Sequence, residues 1–135
     1  MNRGAITVFG GQQLRPNLHI DDMVALYVRA LEWPDERIDG QIFNVGSQNY
    51  LVSEIADIVR RIVGSVSVDT TPTDDHRSYH ISSEKIRREL GFEPVRSVED
   101  AVHDLVAAFR QNLVPNPMTN PRYYNIKTMQ AMALQ

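Results

Sequence analysis

The fold class is decided by residues 5–22, which read AITVFGGQQLRPNLHIDD. Ala5–Phe9 is apolar and β-branched and ends at two glycines, which is typical of a short strand followed by a turn. A second short extended piece is expected at Leu18–Ile20, and Asp21 stands where the N-cap of a helix belongs. A strand, a turn and a helix in such quick succession indicate a mixed α/β fold.

The alternation of helices and short strands continues along the chain. Apolar residues at helical spacing from Val24 to Leu31 extend the first helix, which is expected to end at Trp33-Pro34. Gln41–Val45 is strand-like, and residues 46–50 read as a loop rich in glycine, serine and asparagine. A further short strand is expected around Val66 and Val68, where apolar and polar residues alternate.

Three more helices are predicted, each from a polar N-cap residue followed by apolar residues at helical spacing. They are expected to begin at Ser53, at Ser82 or Ser83, and at Ser97, where Asp100 completes a capping box. Gly64 and Gly91 are expected to end the first two of them. Residues 1–113 are then one α/β unit, and residues 114–135, which contain three prolines and three asparagines, are expected to form an extended tail.

The composition excludes several classes of protein. The chain has 135 residues, 14 basic against 17 acidic side chains, a net charge of -3 and no cysteine. The charge lacks the basic footprint of a nucleic-acid binder, and the missing cysteines exclude disulfide scaffolds, thiolate zinc sites and thiol nucleophiles. No apolar run approaches the roughly 20 residues that span a bilayer, so we expect a cytoplasmic protein with no membrane partner.

The first polar constellation lies around Arg15, in a loop just ahead of a predicted helix. An arginine fork can pair with two phosphate oxygens at once, so Arg15 is a candidate anion-binding residue. The alternative is a surface ion pair with Asp21 or Asp22.

Two further constellations contain candidate binding residues. The loop of residues 44–49 follows a predicted strand and precedes a helix, which is a common ligand position in α/β folds, although a simple turn explains it equally well. In residues 74–80, His76 and His80 are four apart, a spacing that chelates a metal only on a helix. No helix is predicted there, and an anion-binding role for Arg77 is the better interpretation.

Several catalytic and cofactor motifs are missing. The seven glycines cannot be written as a dinucleotide-binding G-x-G-x-x-G or G-x-x-G-x-x-G, and neither a P-loop nor a G-x-S-x-G elbow occurs. Tyr123 and Lys127 match a Tyr-x-x-x-Lys pair, but they follow a proline-rich stretch without a strand, so we interpret the match as coincidence.

The ordered set of motifs resembles the C-terminal part of an extended short-chain dehydrogenase/reductase, of the NAD-dependent sugar-nucleotide epimerase/dehydratase family. The resemblance covers about residues 5–112 and rests on the motifs Val8-Phe9-Gly10-Gly11-Gln12-Gln13-Leu14-Arg15, His19-Ile20-Asp21-Asp22, Phe43-Asn44-Val45-Gly46, Arg77-Ser78-Tyr79, Leu90-Gly91-Phe92-Glu93-Pro94 and Ser97-Val98-Glu99-Asp100. One departure is Pro16-Asn17, where most relatives have aspartate and an aromatic residue.

The resemblance implies a substrate-binding role. In the family, an N-terminal Rossmann lobe binds NAD(P) and carries the catalytic Tyr-x-x-x-Lys pair, whereas the C-terminal part binds the diphosphate of a nucleotide-diphosphate sugar. Arg15 and Arg77 match the arginines that contact the diphosphate, and Asn49 falls where some relatives place a substrate-binding asparagine. The resemblance assigns no catalytic, cofactor-binding or metal-binding residue to this chain.

Three hypotheses follow for the function. In the first, the chain is the substrate-binding portion of such an enzyme, without its catalytic lobe and inactive by itself. In the second, it is a free-standing nucleotide-sugar-binding or protein-interaction module derived from one. In the third, it is a degenerate fragment without a function. Gln41–Val45, which should lie in the sheet of the missing lobe, would then be an exposed edge, so we expect self-association or pairing with a separate Rossmann lobe.

Overall fold

The computed structural model describes residues 4–75 and 77–132 and confirms the predicted α/β class. Strand β1 (Ala5–Phe9) pairs in parallel with β4 (Ser67–Thr71), in a register that sets Val8 opposite Thr70. Both strands lie where the alternating apolar residues predict them. Helix α3 (Val52–Val63) lies between β1 and β4 in sequence and belongs to the crossover that a parallel pair requires.

The second sheet is an antiparallel pair that the sequence did not predict correctly. Strand β2 (Leu14–Asn17) pairs with β3 (Gln48–Leu51), and Arg15 lies opposite Tyr50. The extended piece expected at residues 18–20 therefore lies earlier, and the loop expected at 46–50 is in part a strand. Strand β2 was not predicted because it contains Pro16, which has no backbone N–H to donate. In a two-stranded ribbon both strands are edges, where such a residue is tolerated.

Helix α1 (Ile20–Ala30) begins one residue before the predicted cap. His19 is the N-cap, and its Nδ1 accepts a hydrogen bond from the backbone N–H of Asp21 at 3.1 Å. Asp22, which is only 4% exposed, accepts from the backbone N–H groups of Val95 (3.1 Å) and Arg96 (2.9 Å). The acidic pair therefore lies inside the helix, where Asp22 fixes the chain segment that leads into the last long helix.

The other helices follow their predicted stops more closely than their predicted starts. Ser53 lies inside the first turn of α3, which Leu51 caps, and Gly64 ends that helix with φ of +67°. The later helices are α2 (Asp35–Ile38), α4 (Glu84–Leu90) and α5 (Val98–Arg110). Ser83 and Gly91 bound α4, and the predicted capping box of Ser97 and Asp100 opens α5.

Among the residues that the structure describes, two small clusters form the core. Ile58 from α3 packs with Val102 and Val106 from α5. The second cluster joins Ile86 and Leu90 from α4 with Phe92, whose ring meets Trp33 edge-on at 6.5 Å between centroids. Because each cluster joins segments distant in sequence, the helices behind the sheets hold the strands and their loops in place.

Two expected extended segments are different in the structure. Gln41–Val45 is not part of a sheet among the described residues; Lys85 on α4 instead donates to the Gln41 side chain (2.9 Å) and the Ile42 carbonyl (3.1 Å). The tail is not extended throughout, because it contains a 3-10 turn at Pro121–Tyr123 and helix α6 (Asn125–Ala131). No helix in the described part of the chain is long and apolar enough to cross a membrane.

Candidate functional site

The structure brings together two of the three predicted site residues, Arg15 and Arg77. Arg15 lies on β2, and Arg77 lies in the segment between β4 and α4. The two segments are joined next to the arginines, since the Leu14 N–H donates to Ser78 Oγ (2.9 Å) and the Tyr79 N–H donates to the Leu14 carbonyl (3.0 Å). These hydrogen bonds join segments more than 60 residues apart in sequence, and they place both guanidinium groups beside the Asp75 carboxylate.

Arg15 is held at several points and still reaches the surface. Its Nη1 donates to the carbonyls of Leu14 (2.9 Å) and Arg77 (2.7 Å), and its guanidinium carbon lies 5.4 Å from the centre of the Tyr79 ring. The Arg15 side chain is 31% exposed. The alternative ion pair with Asp21 or Asp22 does not form; Arg15 Nη2 lies 3.8 Å from an Asp75 carboxylate oxygen instead.

Arg77 shares that carboxylate through a two-pronged contact. Its Nε and Nη2 donate to the two Asp75 oxygens at 2.7 and 2.9 Å, and its backbone N–H donates to Oδ1 at 3.1 Å. These hydrogen bonds hold the pKa of the Asp75 carboxyl well below its usual range and raise the pKa of Arg77. Asp75 is therefore ionised at neutral pH, and the cluster of Arg15, Arg77 and Asp75 carries one net positive charge. We call these three residues the arginine cluster.

Gln13, which the sequence did not identify as a site residue, forms a hydrogen bond with the backbone of Asp75 in the arginine cluster. It is 8% exposed, accepts from the Gly11 N–H (2.8 Å), and donates to the carbonyls of Phe9 (3.2 Å) and Asp75 (2.9 Å). The side-chain amide thereby ties the turn after β1 to the segment that carries Arg77. A glutamine in a Gly-Gly-Gln-Gln turn gives no signal of a long-range contact, so the sequence alone could not have identified it.

Gly10 makes this close approach possible. Its φ is +78°, and a Cβ at this position would lie 2.5 Å from Thr73 Cγ2 and 2.6 Å from Gln13 Nε2. Any side chain at Gly10 would push the turn after β1 away from the segment that contains Thr73. A cavity of about 270 Å³ opens beside this turn, lined by Gly10, Gln12, Gln13, Thr73 and Ser78.

The third predicted site residue, Asn49, makes a structural cross-link. Its side chain donates from Nδ2 to the Ile81 carbonyl (3.0 Å) and accepts at Oδ1 from the Ile81 N–H (2.9 Å). Asn49 thus ties β3 to the same segment that carries Arg77, four residues earlier. Contact between Asn49 and a substrate stays a prediction.

The histidine pair suggested as a metal chelator cannot be assessed, because His76 lies outside the described residues. A different group, His19, Asp21 and Asp104, does come together. His19 is buried; its Nδ1 accepts the helix-capping bond from Asp21, which leaves the ring proton on Nε2, 3.3 Å from an Asp104 oxygen. Both ring nitrogens are thereby engaged within the protein, which explains the group as a helix cap joined to α5.

Tyr123 and Lys127 lie on the 3-10 turn and on α6, and neither follows a strand. The Lys127 ammonium lies 4.3 Å from the centre of the Tyr124 ring, and the Tyr124 hydroxyl donates to the Pro117 carbonyl at 3.0 Å. These contacts account for the lysine and the neighbouring tyrosine as packing within the tail.

Helix α1 presents an apolar face to solvent. Leu31 is 89% exposed and Ile20 is 68% exposed, and three more apolar residues continue the same stripe: Val24, Tyr27 and Val28. Ile42, in the segment that was predicted to be a strand, is 82% exposed. A contiguous apolar stripe of this kind is typical of a surface that another protein element covers.

The described residues do not fit a dinucleotide cofactor. The glycine-rich turn at Gly10-Gly11 leads into β2 rather than into a helix, and β3 runs directly into α3 at Leu51-Val52 with no glycine between them. A dinucleotide site needs a glycine-rich turn that delivers the pyrophosphate to a helix N-terminus.

Comparison with known proteins agrees with the predicted resemblance. The model of the NAD dependent epimerase/dehydratase family matches residues 1–46, a range that includes Arg15 and ends before Asn49 and Arg77. A search of curated proteins finds no match.

Similar solved structures include L-threonine dehydrogenase from Phytophthora infestans, with 13% identity, a TM-score of 0.71 and coverage of 82% of this chain and 38% of that chain. ADP-L-glycero-D-manno-heptose-6-epimerase from Helicobacter pylori shows 22% identity, a TM-score of 0.66 and coverage of 78% and 33%. dTDP-glucose 4,6-dehydratase from Bacillus anthracis, in complex with NAD, shows 20% identity, a TM-score of 0.64 and coverage of 80% and 35%.

The comparisons confirm the predicted resemblance and the predicted fold. The family-model match supports the resemblance over residues 1–46, and the similar structures show the α/β fold. The chain spans between about a third and two fifths of the length of these three structures.

Proposed function

We propose that this chain is the substrate-binding portion of an NAD(P)-dependent sugar-nucleotide epimerase/dehydratase and that it binds the substrate's diphosphate through Arg15 and Arg77. The observation that carries the proposal is the direct link between the two arginines, in which Arg15 Nη1 donates to the Arg77 carbonyl at 2.7 Å across 62 residues of sequence. A fold that joins two guanidinium groups in this way supports their acting on one ligand.

The chemistry of the arginine cluster favours a diphosphate. Guanidinium groups present paired N–H donors that match phosphate oxygens, and the Arg77 side chain is 72% exposed, so a ligand can reach it. A diphosphate offers oxygens on two neighbouring phosphorus atoms, one for each guanidinium. Binding at this unreactive end of the substrate would position the sugar for chemistry elsewhere.

The exposed face of α1 supports a partner lobe over the alternative of a free-standing module. Leu31, at the end of the apolar stripe, and Ile42 are both largely exposed among the described residues. We propose that a cofactor-binding Rossmann lobe covers this surface and supplies NAD(P) and the catalytic residues. On this reading the chain alone has no turnover and no tight NAD binding.

The names of the similar structures give two ligand classes to compare. The heptose epimerase and the glucose dehydratase are named for nucleotide-linked sugars, whereas L-threonine dehydrogenases are named for an amino acid. The arginine cluster favours the first class, because threonine carries a single carboxylate and would leave one guanidinium unpaired.

Isothermal titration calorimetry tests the proposal. UDP-, dTDP-, GDP-, CDP- and ADP-sugars and L-threonine would be titrated into the 135-residue chain and into Arg15→Ala and Arg77→Ala. We expect one nucleotide sugar to bind at micromolar concentration and each variant to weaken it at least tenfold, equivalent to about 1.4 kcal/mol. Arg110→Ala, at the exposed end of α5, removes the same charge away from the arginine cluster and should leave binding unchanged.

Two results would contradict the proposal. One is the absence of binding by every nucleotide sugar at millimolar concentration. The other is binding that survives both Arg15→Ala and Arg77→Ala. If the isolated chain reduced added NAD in the presence of a nucleotide sugar, the proposed division between a substrate-binding portion and a catalytic lobe would be wrong.

A further inference from the structure

We propose that the Asp75 carboxylate holds the place of a ligand phosphate in the arginine cluster, so that the anion binds by displacing it. The proposal rests on the proposed function and concerns the regulation of the same site. Asp75 lies between the arginines, with Oδ2 3.8 Å from Arg15 Nη2 and 2.9 Å from Arg77 Nη2.

The partners of this carboxylate are the groups that an anion would use. Within the described residues, its hydrogen bonds come only from the side chain and backbone of Arg77, with Arg15 completing the ion pair. The Nε–Nη2 edge of Arg77 is fully occupied by the carboxylate. A phosphate that took this edge would satisfy the same donors, and the two anions cannot occupy it together.

The backbone of Asp75 is anchored independently of its carboxylate. The Asp75 carbonyl accepts from Gln13 Nε2 at 2.9 Å, and its N–H donates to Thr73 Oγ1 at 3.2 Å. Rotation of the side chain therefore releases the guanidinium and the backbone N–H of Arg77, while the bonds of the Asp75 backbone to Gln13 and Thr73 stay in place. The carboxylate is also partly exposed, with 37% of the side chain accessible, so it can turn into solvent.

The charge of the cluster changes with this rotation. With Asp75 in place the cluster offers one net positive charge, and with Asp75 turned away it offers two, next to a ligand diphosphate of opposite sign. The aspartate keeps the two guanidinium groups together when no ligand is bound, at the expense of affinity. Removing its charge should therefore tighten anion binding.

Asp75→Asn tests this inference, with Asp74→Asn as the matched control. Asp74 is the neighbouring residue, is exposed, and loses the same single negative charge on substitution. Inorganic pyrophosphate and UDP would be titrated calorimetrically into the full chain and each variant, with circular dichroism to verify folding. We expect Asp75→Asn to lower the pyrophosphate Kd about tenfold, which corresponds to about 1.4 kcal/mol, and Asp74→Asn to change it less than about twofold.

A second variant, Asp75→Ala, removes the carboxylate without supplying an amide that could still bind Arg77, and should tighten binding in the same direction. Unchanged or weaker pyrophosphate binding in both Asp75 variants would overturn the inference, as would equal tightening by Asp74→Asn. The proposed function would still stand if the wild-type chain bound UDP and Arg77→Ala did not. The absence of binding to every form of the chain would overturn both.

Discussion

The interaction between Asp22 and the segment before α5 provides the sharpest test of how this fold is stabilised. The Asp22 carboxylate is 4% exposed and accepts hydrogen bonds from two backbone N–H groups, those of Val95 and Arg96. Asp22→Ala removes both bonds and leaves two donors without their acceptor. We therefore expect a large loss of stability from a residue that the candidate site does not contain.

The size of the loss follows from the two contacts. A hydrogen bond to a charged group contributes about 1.5–3 kcal/mol, so the loss of both predicts a decrease in the free energy of unfolding of roughly 3–6 kcal/mol. For 135 residues the entropy of unfolding gives a decrease in Tm of about 3.5 °C for each kcal/mol, hence roughly 10–21 °C. Urea titration and thermal melting, both followed by far-UV circular dichroism, measure these quantities.

Asp21→Ala is the matched control, because the neighbouring carboxylate is 58% exposed and makes long contacts, with Arg96 Nη2 at 3.4 Å and His19 Nδ1 at 3.8 Å. Such surface contacts contribute about 0–1 kcal/mol, so the control should melt within about 3 °C of the wild-type chain. If the two variants lost stability equally, or if Asp22→Ala cost less than about 1 kcal/mol, the assignment of Asp22 as the link between α1 and α5 would be wrong.

Three further predictions concern other parts of the chain. Gly10→Ala should destabilise the fold by about 1–3 kcal/mol in urea titration, because its Cβ would meet Thr73 Cγ2 at 2.5 Å with φ at +78°; a variant as stable as the wild type would show that the two segments are not closely packed. Leu31→Lys, at the exposed end of α1, should reduce any self-association seen by light scattering without lowering Tm, and unchanged association would exclude this face as the contact. The hydrogen bonds from the Ser97 N–H and hydroxyl lower the pKa of Asp100 in the folded chain. The stability that they contribute is therefore present above the ordinary aspartate pKa of about 3.9 and is lost as the pH falls through the lower folded value. Ser97→Ala should make the free energy of unfolding depend less on pH in this range, and an unchanged dependence would contradict the role of the capping box.

Local signals predicted the helix ends well. Gly64, Gly91 and the Ser97–Asp100 box each act through contacts within a few residues, and the structure confirms all three. Sheet pairing was harder to predict, because a strand forms only where a distant segment meets it. Gln41–Val45 has strand-like residues but pairs with no other strand among the described residues, whereas β2 contains a proline and still pairs with β3.

The candidate site likewise contains residues that local sequence can predict and residues whose roles depend on contacts between distant segments. Arg15 and Arg77 could be predicted as candidates because arginine is the usual residue for binding phosphate and because both lie in recognisable motifs, and their contact with a ligand stays a prediction. The parts played by Gln13 and Asp75 depend on a contact across 62 residues, between Gln13 Nε2 and the Asp75 carbonyl, which no local pattern encodes. Both ends of the Asn49 amide bond to Ile81, a contact that the sequence did not predict, and its contact with a substrate stays a prediction.

The bond from Arg15 to the Arg77 carbonyl makes the two arginines thermodynamically unequal. Arg15→Ala would remove one guanidinium and also one bond to the backbone that positions the other, whereas Arg77→Ala keeps the carbonyl of residue 77 and so leaves both backbone bonds of Arg15 in place. The double variant should therefore lose less affinity than the sum of the two single losses, since groups in one network are not additive. The difference between the loss in the double variant and the sum of the two single losses would measure the coupling between the arginines, which neither single substitution can reveal.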